Sequence, residues 1–227
     1  MDNSASKKKY GIREIAVLGV FCALAYAVMA LSKLIPVNIA GFLNLDFKDV
    51  IIAICGFIFG AVPAVIVSVI VSLIEMITIS TTGPIGLIMN VLSTCAFVVP
   101  AALFYRSRRK FRGAVIGLVL GICCMSAVML LWNWLITPVY MGVAREIVVA
   151  MLVPVFLPFN LVKGALNAAV TMLIYKPIVS ALRKARLLDP AAPEASGKKG
   201  LTIGVTLISV FVIISLILVV LVWTGTI

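Results

Sequence analysis

Seven long apolar stretches divide the chain, parted by short breaks rich in proline, glycine or charge. A run of about 20 apolar residues is what a helix needs to cross roughly 30 Å of hydrocarbon. The first predicted helix runs from about Ile12 to Leu34 and stops where Pro36 removes a backbone donor. The segment from Pro36 to Asp46 is short, yet it carries apolar residues that a solvated loop would avoid, which points to a lid folded back over the bundle. A short second helix is expected over Phe47 to Phe59, a turn at Gly60 to Pro63, a third helix over Ala64 to Ser80 and a break at Thr81 to Pro84. The fourth covers Ile85 to Tyr105 and ends in the basic run Arg106 to Arg112, and the fifth covers Gly113 to about Ile136. The sixth begins between Glu146 and Pro158 and continues to about Arg186, with Pro154 and Pro158 distorting its first turns. Leu187 to Gly200 reads as a linker, and Leu201 to Trp223 as a seventh span.

This pattern gives an all-α integral membrane protein: a basic cytoplasmic N-terminus (1–11), a six-helix bundle (12–186), a linker (187–200) and an additional C-terminal transmembrane helix (201–227). There is no internal repeat. Composition agrees, since 63% of the 227 residues are hydrophobic and 12% charged, where a soluble domain is nearer half and a quarter. No room remains for a sizeable domain outside the membrane, so function has to sit within the bundle.

A net charge of +11 raises the question of nucleic acid. The basic residues, however, come in short clusters beside apolar runs, where they set topology and anchor the headgroups of membrane lipids, and nucleic-acid binding is not expected. With the N-terminus inside, the inner face collects fifteen Lys and Arg residues, among them Lys7 to Lys9, Arg106 to Lys110 and Arg183 to Arg186, against Lys33, Lys48, Arg145 and Lys163 on the outer side. The expected orientation is therefore a multi-pass protein of the cell membrane, N-terminus cytoplasmic and C-terminus extracellular. The cysteines Cys22, Cys55, Cys95, Cys123 and Cys124 lie inside apolar runs without metal-ligand spacing and read as small packing residues. No metal site and no cofactor is expected. Histidine is absent altogether, which removes histidine-based catalysis and most zinc chemistry. An intramembrane enzyme would need a nucleophile with its base or clustered acids. Glu75 alone of the acids lies deep within a predicted helix, away from its first turn, while Asp46 and Asp49 fall at the lid without a basic partner of the catalytic kind, so no enzymatic activity is expected.

Ionisable and amide side chains within a membrane are costly, so each one is a candidate for function. The topology places Glu75, Asn90, Asn133, Asn160 and Lys163 in the outer half of the bundle on four different helices, beneath the lid. The arrangement implies a polar pocket open to the outside and blind toward the cytoplasm. Asn160, Lys163 and Asn167 share one face of the sixth helix by their spacing. Amides and an ammonium group suit a flat heterocycle edged with carbonyls and ring nitrogens. Phe42 of the lid, with Trp132 and Trp134, offers apolar or stacking surface. Bonding of the amides between helices is the competing reading, above all for Asn90 and Asn167. Glu75 is a candidate to neutralise Lys163 across the bundle. On the first helix, Ala16, Gly19, Ala23, Ala27 and Ala30 draw a stripe of small side chains, which serves either packing within the bundle or docking of a separate membrane subunit.

Four segments resemble the riboflavin-binding S component of energy-coupling-factor vitamin transporters: Gly19-Val-Phe-Cys-Ala23, Leu43-Asn-Leu-Asp-Phe-Lys-Asp-Val50, Asn133-Trp-Leu-Ile-Thr-Pro-Val-Tyr140 and Pro158-Phe-Asn-Leu-Val-Lys-Gly164. The resemblance covers about Ile12 to Arg186, and its last segment is the one most specific to riboflavin. It implies that Asn133, Asn160 and Lys163 bond the edge of the flavin while the first loop, with Phe42, Leu43, Asn44, Leu45 and Asp46, closes over the ligand. It also implies that the small-residue stripe, with Gly19 in place of the family's first alanine, docks on a transmembrane coupling subunit (the T component) driven by two cytoplasmic ATPase subunits. The chain has no phosphate loop of its own. The seventh span has no counterpart in that family. An S component for thiamine or a flavin analogue, and a stand-alone small-molecule transporter, remain the alternatives, although neither an inverted repeat nor a polar path to the cytoplasmic half supports the latter.

The orientation is testable on intact cells. A membrane-impermeant maleimide is expected to label a cysteine placed at Val37 in an otherwise cysteine-free chain and to leave one placed at Ser107 unlabelled; the reverse pattern would invert the topology.

Overall fold

Proline and glycine punctuate the chain much as their backbone chemistry requires. The computed structural model describes residues 11–34, 38–39, 43–108, 111–187 and 199–223. Within them run α1 (Ile12–Ser32), a two-residue antiparallel pair of β1 (Asn38–Ile39) and β2 (Leu43–Asn44), α2 (Lys48–Phe59), α3 (Ala61–Thr78), α4 (Gly83–Arg108), α5 (Phe111–Leu135), the short α6 (Thr137–Met141) and α7 (Arg145–Met151), a π-helical turn (Leu152–Phe156), α8 (Leu157–Lys184) and α9 (Lys199–Trp223). The β pairing sets Asn38 opposite Asn44 and Ile39 opposite Leu43. Phe42 and most of the linker lie outside the described residues. Among the described residues, five segments are long and apolar enough to cross a membrane: α1, α3, α4, α5 and the stretch Arg145–Lys184.

Two boundaries differ from the sequence expectation for one reason. α3 starts at Ala61 and α4 at Gly83, so Pro63 and Pro84 lie inside first turns instead of before them. The first N–H groups of a helix have no partner within it, and a proline there forfeits nothing. Gly60, with φ at +100°, makes the reversal between α2 and α3 in a region that side chains rarely enter. Where Pro154 and Pro158 remove donors, the chain widens into the π turn, and the Leu157 N–H reaches back to Leu152 O.

α2 organises the bundle. It is 12 residues long, and Lys48 through Phe57 are all buried. A helix apolar all round belongs in a core, and α2 packs against α1, α3, α4 and α8. At about 18 Å it is too short to span a bilayer alone, so the second predicted helix is a central strut. α4 and α5 form the closest pair because Gly117 and Gly121 of α5 lie against the backbone of Ala101 and Phe97; an added Cβ at Gly117 would fall 2.8 Å from Ala101 O. The four-residue spacing of Gly113, Gly117 and Gly121 is the small-residue pattern that lets membrane helices approach. α1 turns Val17, Phe21, Ala25 and Met29 inward, while Ala16, Gly19, Ala23 and Ala27 are exposed on the opposite face. Of the cysteines, Cys55 is buried while Cys123 and Cys124 are exposed, and all five are free thiols.

Gly121→Leu is expected to destabilise the protein by about 1–3 kcal/mol through overpacking, read as a lower melting temperature in detergent; an unchanged melt would show that α4 and α5 can part without cost.

Candidate functional site

The site follows from unequal helix lengths. Asn90 reaches Glu75, yet α4 continues seven residues, about 10 Å, beyond it toward Gly83. Lys163 meets Asp46, and α8 likewise extends six residues, about 9 Å, further to Leu157. α1, α2 and α3 stop near the level of these contacts: the Phe47 N–H before α2 donates to Ser32 Oγ at the end of α1. The result is a cup whose floor is the ends of α1–α3 and whose walls are α4, α5 and α8. Leu43 and Asn44 of β2, and Ser80 to Thr82, sit at its rim.

The cup encloses about 740 Å³ of non-atom space, part of it open solvent. Its polar lining comes from Lys33, Asn44, Asp46, Glu75, Asn90, Ser93, Asn160 and Lys163, its apolar lining from Leu43, Met89, Met129 and Phe159. A narrower apolar cleft shares Thr82 and Met89 with it and leads to Trp132, Thr137 and Tyr140.

The floor is a layer of paired charges. Glu75 takes Lys48 Nζ at 2.6 Å and Lys33 Nζ at 3.1 Å, and the Asn90 amide donates to it at 3.0 Å. Lys163 Nζ donates to Asp46 Oδ2 at 2.7 Å. Asn167 donates to the backbone oxygens of Asp46 and Lys163, at 3.1 and 3.0 Å. Thr94 donates to Asp49 Oδ1 at 2.6 Å. Lys33, Lys48 and Lys163 thus meet the two carboxylates Glu75 and Asp46, which is the condition for charge to persist at this depth. Burial alone would raise the Asp46 carboxyl, but Lys163 and Lys48 beside it hold it below the usual carboxylate range. Asp46 Oδ1 and Asn167 Oδ1 are buried, and neither has a hydrogen-bond partner among the described residues.

The expected pairing of Glu75 with Lys163 is wrong. α2 stands between α3 and α8, so its first residue, Lys48, takes Glu75, and Lys163 turns to the loop carboxylate Asp46. Asp46 and Asp49 are also not acids without basic neighbours at a lid: Asp49 is fully buried in the first turn of α2. Lys48, 1% exposed and in the sequence only one of the outer-side basic residues, lies behind the lining and holds Glu75 in place. Of the sequence candidates, Leu43, Asn44, Asp46, Glu75, Asn90, Asn160 and Lys163 line the cup, while Leu45 and Asn167 lie behind it. Asn133 is buried beside it: its amide donates to Met129 O, and its oxygen accepts from Thr137 Oγ1. Trp132 lines the side cleft, whereas Trp134 lies at the surface under Arg145. Asn160 donates to Phe156 O at 2.7 Å, in the π turn, and keeps one N–H and its oxygen for other partners. Lys33 and Met129 are additional lining residues; a basic residue at a helix end gives no sequence signal that separates anchoring from a site.

Below the floor the path closes. Ile51 to Ile54 and Phe57 of α2 are buried, with Phe97 beside them. Phe57 stacks at 4.6 Å on Tyr105, whose hydroxyl lies 3.1 Å from that of Tyr175.

A family model described as the substrate-specific component of ECF transporters matches residues 13–175. Riboflavin transporter FmnP of Bacillus subtilis is 25% identical over 188 residues, covering 78% of this chain and 98% of that protein. Riboflavin transporter RibU of Streptococcus thermophilus is 28% identical over 183 residues, covering 76% and 85%. A solved structure described as the S component of a bacterial ECF transporter superposes with a TM-score of 0.63 at 25% identity, over 74% of this chain and 96% of that one.

Glu75→Gln is expected to cost about 3–5 kcal/mol because it takes from buried Lys48 the carboxylate it is bonded to, and the double variant Glu75→Gln, Lys48→Met is expected to recover much of the loss. Equal melting temperatures for the single variant and the unmodified protein would remove the pair from the account.

Proposed function

The chain belongs to the family of substrate-specific components of ECF transporters, and we propose that it binds riboflavin in the cup, from outside the cell, for import by an ATP-driven coupling module. The observation that carries this reading is the lining of the cup. Asn160 and Lys163 supply donors, and the Asp46 carboxylate beside Lys163 supplies acceptor oxygens. Riboflavin carries an imide edge of carbonyls around an N–H, a flat ring system and a tail of hydroxyls. The imide and hydroxyls match those groups, and Leu43, Met89, Met129 and Phe159 offer the ring an apolar surface. The names of the relatives point the same way. Asn133 acts from behind, by fixing Thr137.

The sealed aromatic layer beneath the cup favours a binding subunit over a stand-alone transporter, because a solute crossing alone would need that layer to part. Transport then requires the whole subunit to reorient. The exposed stripe of Ala16, Gly19, Ala23 and Ala27 is the face we assign to a transmembrane coupling subunit, since small side chains allow close approach; that subunit would carry the force of two cytoplasmic ATPases. In this orientation the basic end near Arg106 faces the cytoplasm.

Lys163→Met and Asn160→Ala are each expected to weaken riboflavin binding about tenfold or more in a fluorescence-quenching titration, as the loss of a charge-assisted or buried hydrogen bond implies. Unchanged affinity in both would place the ligand elsewhere. Ala23→Trp is expected to leave that affinity intact and to abolish uptake by cells that supply the coupling module; undiminished uptake would release α1 from the docking role.

A further inference from the structure

α9 lies beyond residues 13–175, the span that the family model matches, and it is not a detached anchor. Ser209 and Val220 are buried and Ile213 and Leu216 half-buried, at spacings of four, three and four, which draws one stripe along the helix. The rest of its described surface is largely exposed, with Phe211, Ile214, Ile217 and Leu218 turned outward. The stripe packs on α8, where Val220 joins Val162 and Leu166 in a cluster that also takes in Ile213, Leu216, Leu45 and Phe47.

Those contacts lead to the cup. Val162 adjoins Lys163 in sequence, and Leu45 and Phe47 flank Asp46, the partner of Lys163. Leu45 also packs against the cluster of Leu43 and Phe159, two residues of the lining. The segment 45–47 is therefore held by a polar contact at its centre, and Leu45 and Phe47 on either side pack against the cluster that Val220 of α9 shares with Val162 and Leu166. Lipid tails are as apolar as leucine, so a lipid in its place would satisfy the same surface. What α9 adds is a backing of fixed shape for the cluster in which Leu45 and Phe47 pack.

We propose that α9 braces the loop segment 45–47, with Ile213, Leu216 and Val220 acting as positioning residues that slow release of the bound ligand. The ligand's identity rests on the reading above; the brace itself does not. The test uses the full chain carrying Ile213→Ala, Leu216→Ala and Val220→Ala, beside a control with Ile214→Ala, Ile217→Ala and Leu218→Ala on the exposed face. Hydrogen exchange on the flavin-free proteins is expected to show faster exchange of the backbone amides of residues 45–48 in the stripe variant only. Riboflavin dissociation is expected to accelerate about fivefold or more in that variant, with association little changed, as is usual when a binding surface loosens. Amide exchange equal to that of the control would overturn the brace, as would dissociation within about twofold of it. If the unmodified protein binds no riboflavin, the functional reading fails while the exchange comparison still decides the role of α9.

Discussion

Three ammonium groups and three carboxylates cannot lie inside a lipid-surrounded bundle unless each meets opposite charge or a strong hydrogen bond, and this requirement governs how the elements meet. Lys33 closes α1 onto α3 through Glu75, and Lys48 closes α2 onto the same carboxylate. Asp46 ties the loop before α2 to α8 through Lys163, and Asp49 ties α2 to α4 through Thr94. The cost of burying these groups is large, and a purely apolar floor would hold the helices at least as well. Retaining charge makes sense where the same groups face a cavity, as Lys33, Asp46, Glu75 and Lys163 do.

Much of the fold was legible in the sequence because membrane helices announce themselves by length and by what interrupts them. Gly60 and the Pro154–Pro158 pair mark real changes of backbone path. Pro63 and Pro84 misled by a turn, since proline is equally at home just inside a helix. The stripe on α1 could be read from spacing, and the same rule applies to Gly113, Gly117 and Gly121, which hold α5 against α4. Convergence of Glu75, Asn90, Asn160 and Lys163 on one cup was also legible, because depth follows from position along a helix of known direction.

Partner choice was not. Whether Glu75 meets Lys163 or Lys48 depends on which helix stands between α3 and α8, and hydrophobic periodicity says nothing about neighbours. In the sequence Lys48 counted only as an outer-side charge; that its helix is the buried centre of the bundle follows from α1, α3, α4 and α8 packing around it. The pairing of Asn133 with Thr137 is similarly a matter of tertiary placement, since the intervening chain bends into α6. The cup therefore joins two kinds of information: polar residues at a common depth, which sequence supplies, and the order of helices around α2, which it does not.

The central claim is a riboflavin site reached from one face of the membrane and closed to the other. The most direct measurement is a titration of riboflavin fluorescence with right-side-out vesicles that contain this chain alone, with thiamine as a competitor and the vesicle lumen assayed for flavin. The account predicts saturable quenching at one riboflavin per chain, no displacement by thiamine, and no accumulation in the lumen. Flavin that stays unquenched in the presence of folded protein, or that gathers inside vesicles lacking any coupling module, would contradict it.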